Sequence, residues 1–220
     1  MAIQTKICGL TTPAAVETAI SGGASHIGYI FFAKSPRNIS PDNAATLADL
    51  ARGKVIQTIV TVNAGDAFLD EIVNKVRPNL LQLHGSETPE RVREIKSRFN
   101  LPLIKAFSIS EAQDLEITKA YEGVADQFLF DAKPPKGADL PGGNGISFDW
   151  NLLRDFTSST PYMLSGGLNA DNVEEAVLLS GAEAIDISSG VESAPGIKDI
   201  AKIETLLKIV SNLHFEGKAK

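Results

Sequence analysis

Ala184-Ile185-Asp186-Ile187-Ser188-Ser189-Gly190 is the stretch whose alternation decides the fold. Ile185 and Ile187 fall on one face of an extended strand, and Asp186 and Ser188 fall on the other. The same division appears near the start of the chain, where Ile3, Thr5 and Ile7 oppose Lys6 and Cys8. A closed sheet accommodates both: its polar face points into a barrel and its aliphatic face packs under helices.

Working outward, short β-rich runs alternate with longer stretches of helical periodicity along the whole chain, the pattern of βα units around a parallel sheet. Strands are expected at Gln4–Cys8, His26–Phe32, Lys54–Val62, Leu80–His84, Leu103–Phe107, Gln127–Asp131, Tyr162–Ser165 and Ala184–Ser188. Helices are expected at Thr12–Ser21, Pro41–Arg52, Ala67–Val76, Pro89–Phe99, Ser110–Tyr121, Phe148–Phe156, Asn172–Leu179 and Asp199–Leu213. Ser40–Pro41 and Thr88–Pro89 are start signals, a capping hydroxyl followed by a proline suited to the first turn. Eight units in 220 residues, about 27 each, fit a small α/β fold of the (β/α)8 or TIM-barrel type. The rival is an open doubly wound sheet. Cys8, His84, Asp131 and Ser188 end the first, fourth, sixth and eighth expected strands, and only closure brings all four to one mouth. Residues 1–220 are therefore read as one barrel domain, with 214–220 as a frayed tail.

Composition narrows the function. With 43% hydrophobic and 22% charged residues the chain has the apolar content of a globular domain. A formal net charge of −6 argues against nucleic acid and against an anionic membrane, because both require a clustered basic surface. The single cysteine permits no internal disulfide, and no Cys/His spacing suits zinc, so no metal is expected and a reducing compartment, the cytoplasm, fits. Residues 1–30 lack the pattern of a secretory leader, and no run of about 18 apolar residues occurs. Monomer and homodimer are equally compatible with these numbers.

Two glycine-containing segments follow the last two strands, Ser165-Gly166-Gly167-Leu168 and Ser188-Ser189-Gly190-Val191-Glu192. The loops after strands seven and eight of such barrels often bind phosphate through backbone N–H groups. A phosphorylated small molecule is the ligand class this suggests, held by Gly166, Gly167, Ser188, Ser189 and Gly190. Tight turns alone would also explain the glycines. Cys8 stands at the mouth before Gly9; a lone cysteine is most often inert core, but lysines nearby could give it thiolate character and make it a general base. Asp131 ends an apolar strand, where partial desolvation favours a carboxyl that keeps its proton and serves as a general acid, although a structural pairing with lysine is open too. Asp186 is expected to support the phosphate loops by accepting from their N–H groups. Arg37, after Ser35-Pro36, could grip a carboxylate through its guanidinium fork. His84 either lines the pocket or is a hydrogen-bonded structural histidine, and His26 and His214 are background. Lys133–Gly145, rich in Pro and Gly after a strand end, reads as a long loop on the catalytic face.

Lys6-Ile7-Cys8-Gly9, Ser35-Pro36-Arg37, Gln82-Leu83-His84-Gly85, Phe130-Asp131, Pro141-Gly142-Gly143-Asn144-Gly145, Ser165-Gly166-Gly167-Leu168 and the run from Asp186 to Glu192 with Pro195-Gly196, in that order, resemble the phosphoribosylanthranilate isomerase family. The match covers nearly the whole chain. The resemblance implies an Amadori rearrangement of a phosphoribosylated anthranilate in tryptophan biosynthesis, with Asp131 as general acid and Cys8 as general base. It also implies Arg37 against the anthranilate carboxylate, and phosphate held at Gly166–Gly167 and Ser188–Gly190. Neither metal nor redox cofactor is implied. Among other phosphate-binding barrels, a pentose-phosphate epimerase would need metal-ligand histidines and acids at several strand ends, where this chain has only His84. A barrel that only binds its ligand is the remaining alternative.

Overall fold

The structure is a computed structural model and describes residues 2–134, 137, 142, 143 and 145–213. The tail expected at 214–220, His214 with it, and Pro141 and Asn144 of the glycine-rich segment lie outside the described residues.

Eight parallel strands close in chain order into one barrel: β1 (Gln4–Cys8), β2 (His26–Phe31), β3 (Ile56–Thr61), β4 (Leu80–Leu83), β5 (Leu103–Ile109), β6 (Gln127–Ala132), β7 (Tyr162–Leu164) and β8 (Ala184–Ile187). The open-sheet rival is thereby excluded, because β1 pairs with β8 as well as with β2, setting Lys6 opposite Asp186. Among the described residues six α-helices pack outside: α1 (Pro13–Ser21), α2 (Pro41–Ala51), α3 (Asp66–Val76), α4 (Pro89–Phe99), α5 (Val173–Ser180) and α6 (Ile200–Ser211). The expected caps are present, with the Ser40 and Thr88 hydroxyls accepting from the N–H groups of Asn43 and Arg91. Among the described residues no helix is long and apolar enough to cross a membrane.

Two of the eight expected helices are instead 3₁₀ turns, Ala112–Tyr121 and Trp150–Leu153. In the first, the buried side chains are Leu115, Thr118 and Tyr121. That spacing of three stacks them on one edge of a helix with three residues per turn, whereas an α-helix would spread them apart. A hairpin, β9 (Glu192–Ala194) with β10 (Ile197–Lys198), is absent from the sequence expectations; its strands are too short to show alternation.

The core has two layers. One lies between sheet and helices and carries the outward apolar side chains, among them Ile7, Ile27, Leu83, Phe130, Ile185 and Ile187. The other is a small plug inside the barrel made of Leu80, Ile104, Ala106, Leu129, Met163 and Ala184. Two residues beyond Leu80, Leu129, Met163 and Ala184 stand Gln82, Asp131, Ser165 and Asp186, which strand alternation places on the same inward face. The plug is thus the floor on which the polar interior rests.

His26 shares that interior beside Lys6, its partner in register. Burial, with some repulsion from Lys6, lowers its pKa from 6.5 to about 4. Between those two values the unfolded chain binds a proton that the native state refuses, so stability is lost as pH falls through that window. The loss should reach about 2–3 kcal/mol near pH 4. Urea unfolding from pH 7 to 4 should show a flatter decline for His26→Gln than for the parent; identical slopes would contradict this.

Candidate active site

The carboxyl ends of the strands surround a cavity of about 670 Å³, open mouth included. Its wall contains Cys8, Arg37, His84, Asp131, Gly166, Gly167, Asp186, Ser188 and Ser189. These nine are all but one of the residues expected from sequence. The exception is Gly190, which does not line the cavity. A Cβ there would overlap the carbonyl of Leu168, so its lack of a side chain lets the β8 loop pack against the β7 loop. Its place is behind the wall, where it joins the two loops.

On one side stand Asp131 and His84, both buried or nearly so. Asp131 Oδ1 accepts the N–H of Ala132 at 2.9 Å, which leaves Oδ2 toward the cavity and 3.3 Å from His84 Nε2. That contact lies within ion-pair distance, but its angles fall short of a hydrogen bond. His84 Nδ1 is 2.9 Å from the side-chain nitrogen of Gln82. Gly142 rests on the pair, and a Cβ at this position would intrude on both Asp131 Oδ2 and His84 Nε2. Gly142→Ala should therefore push the acid aside and lower kcat by roughly tenfold to a hundredfold. Steady-state kinetics beside a thermal melt would test this, and a kcat equal to the parent's would refute it.

Across the cavity, Cys8 is buried among charges. The sequence expectation is that lysines give its thiol thiolate character, and the structure corrects this. Burial pushes the pKa up, Lys6 and Lys198 pull it down, Asp186 pushes it up again, and the result lies above the ordinary thiol value. The resting thiol is neutral. Lys6, fully buried, donates to Asp186 Oδ1 at 2.9 Å and to Gln82 Oε1 at 2.8 Å. Burial alone would disfavour its charge, yet the pKa stays above normal, with Asp186 as the main counterweight. Asp186 also differs from expectation: among the described residues its carboxylate serves Lys6, not the N–H groups of the phosphate loops. A buried ammonium needs a counter-ion, and the β1–β8 register supplies this one. The loops are tied to the barrel otherwise, through Ser165 Oγ donating to the Asp186 carbonyl at 3.1 Å and Ser188 Oγ donating to the Cys8 carbonyl at 3.1 Å.

Arg37 reaches the cavity, but one edge of its fork is already engaged. Nε and Nη2 donate to the two Glu192 oxygens at 2.7 and 2.9 Å, and Nη2 also meets the Gly143 carbonyl at 3.3 Å. The bidentate grip expected for a ligand is made to the protein, so a carboxylate would meet the Nη1 side. Lys198 donates to Glu192 at 2.8 Å and to the Ser188 carbonyl at 2.8 Å. Burial raises the pKa of Glu192, but Arg37 and Lys198 outweigh it and keep the carboxyl below its usual range. Ile30, Phe32, Val60, Val62 and Leu168 form the apolar part of the wall.

Sequence reasoning missed Gln82, Glu192, Lys198 and Gly142 as members of the site. For Gln82 a signal existed, since it lies two residues before His84 and so shares its face. Glu192 and Gly142 stood inside quoted motifs without a role of their own, and Lys198, on the unexpected hairpin, carried no signal.

The family model of N-(5'-phosphoribosyl)anthranilate (PRA) isomerase matches residues 5–209. The N-(5'-phosphoribosyl)anthranilate isomerase of Brucella canis is 61% identical over 220 residues, which is 100% of this chain and 99% of that protein. The crystal structure of phosphoribosyl anthranilate isomerase from Thermotoga maritima superposes with a TM-score of 0.84 at 33% identity, covering 96% of this chain and 100% of that one. A phosphoribosyl anthranilate isomerase crystallised with reduced 1-(o-carboxyphenylamino)-1-deoxyribulose 5-phosphate gives 0.82 at 32% identity, with the same coverage. With a matching model over most of its length and a relative this similar end to end, the chain belongs to the N-(5'-phosphoribosyl)anthranilate isomerase family.

Proposed function

We propose that Asp131 and Cys8 carry the two proton transfers of the reaction this chain catalyses, the isomerisation of N-(5-phosphoribosyl)anthranilate to 1-(2-carboxyphenylamino)-1-deoxyribulose 5-phosphate in tryptophan biosynthesis. The observation that carries the assignment is that both groups line one cavity, with Arg37 and the β7 and β8 loops on the same wall. Asp131 Oδ2 protonates the furanose oxygen as the C1–O bond breaks, while the anthranilate nitrogen donates its lone pair and becomes an iminium. That cation acidifies C2. Cys8 then takes the C2 proton, the electron pair neutralises the iminium to an enamine, and reprotonation leads to the ketose.

The resting neutrality of Cys8 sets a condition on this step, because only its thiolate can act as the base. The thiol first gives its proton to solvent through the open mouth of the cavity, and Lys6 and Lys198 lie close enough to stabilise the thiolate that forms. The substrate's phosphate goes to the β7 and β8 loops. The first bond within the turn after β8 is donated by Val191 to Ser188, so the N–H of Ser189, a residue of the cavity wall, precedes it and can serve the ligand. The anthranilate ring goes to the wall of Ile30, Phe32, Val60 and Val62, with its carboxylate toward Arg37. The bound relative is similar in fold and carries a ligand of this chemistry, which supports the placement.

The whole chain, 1–220, serves as one catalytic domain on this reading, in the cytoplasm, where a free cysteine stays reduced. Progress curves with freshly generated phosphoribosylanthranilate test it, since anthranilate fluorescence changes with turnover. Loss of signal change on replacing either proton-transfer group supports the assignment; full activity without one of them removes it.

A further inference from the structure

We propose that Gln82 is a positioning residue that fixes the tautomer of His84, so that an N–H from the imidazole, and not a lone pair, faces Asp131. Lys6 sets the direction of the whole chain of contacts. An ammonium only donates, so the Gln82 atom 2.8 Å from Lys6 Nζ must be the carbonyl oxygen. The amide orientation is thereby forced, and its NH2 is the group 2.9 Å from His84 Nδ1. Nδ1 must accept, which leaves the proton of a neutral imidazole on Nε2. Nε2 is the atom 3.3 Å from Asp131 Oδ2. Asp186 holds Lys6 at 2.9 Å, so one directed chain, Asp186–Lys6–Gln82–His84–Asp131, crosses the barrel interior.

The consequence rests on the reading of Asp131 as the acid. A donor 3.3 Å from Oδ2, which needs only a small turn of the ring to complete a hydrogen bond, stabilises the carboxylate that remains after the proton has gone to the furanose oxygen. The other tautomer would aim a lone pair at the same oxygen and would hold the acid's proton back. Gln82 touches no reacting atom and acts only through His84.

Gln82→Glu tests this with little change of shape, since a carboxylate still accepts from Lys6 but can no longer donate to Nδ1. Nitrogen-15 spectra of the imidazoles, assigned with His84→Asn and recorded where the ring is neutral, read the tautomer directly in the free protein. The parent should show Nε2 protonated and Gln82→Glu should show Nδ1 protonated. In the same variant kcat should fall on the order of 10–100-fold with KM nearly unchanged. Gln82→Met, which can neither donate nor accept strongly, should lose the fixed tautomer and lie between the two in rate; it serves if the glutamate variant does not fold. A parent imidazole protonated at Nδ1, or a variant whose tautomer switches without loss of kcat, would overturn the proposal. The spectra do not depend on which residue is the acid. If Asp131→Asn kept full activity, the acid assignment would fail while the tautomer assignment stood.

Discussion

Turnover by Asp131→Asn is expected to fall by about 10²–10⁴, and by Cys8→Ala over a similar range, with binding of a product analogue largely retained. The amide introduced by the first change keeps the shape of the carboxyl and can still accept from the Ala132 N–H, so the floor of the cavity stays as it is. What it lacks is a proton to give. Without it the C1–O bond must break toward an alkoxide that water alone would have to protonate, in a cavity whose wall is partly aliphatic. Cys8→Ala removes the only base on the opposite wall that the mechanism uses and leaves Lys6 and Asp186 in place to hold the strands. Fluorescence progress curves give kcat, and calorimetric titration with the analogue gives affinity. A pair of variants that lost affinity in proportion to rate would mark these residues as ligand holders, not proton carriers.

The second large effect concerns stability. Lys6→Met should cost about 3–5 kcal/mol, because it strands the Asp186 carboxylate inside the barrel and leaves Gln82 Oε1 without its donor. Lys6 is fully buried and Asp186 nearly so. Pairing the change with Asp186→Leu should recover much of the loss, since two apolar side chains then meet above the plug of Leu80, Leu129 and Ala184. Urea denaturation of the parent, both single variants and the double variant closes the cycle. Equal additive losses would show that the two residues do not depend on each other.

Much of this was legible from the chain. The eight strands emerge from alternation because each has one apolar face under helices and an inner face that carries polar groups near its end, as in β1 and β8. The wall residues Cys8, Asp131 and Ser188 were legible for the same reason. Partners were not. Parity places Lys6 and Asp186 on the inner face, but it says nothing of which inner group meets which, and so sequence alone points Asp186 at loop amides when it holds an ammonium. Arg37 was legible as a mouth residue; that Glu192 occupies one edge of its fork depends on a hairpin of two very short strands. The thiol of Cys8 went the other way from expectation because burial is a property of the assembled barrel, and it outweighs the neighbouring lysines. Thr118 and Tyr121 belong to a helix whose three-residue turn is set by packing, which periodicity over so few turns does not separate from the ordinary kind.

The seam between β1 and β8 has a further consequence for how the molecule is made. A ribosome releases Lys6 some 180 residues ahead of Asp186. Until the eighth strand emerges, the nascent sheet has two raw borders and the Lys6 ammonium lacks its carboxylate, so incomplete chains cannot close and are exposed to sticking edge to edge. Closure must wait until β8 has been made, because β1 has no other partner on that side.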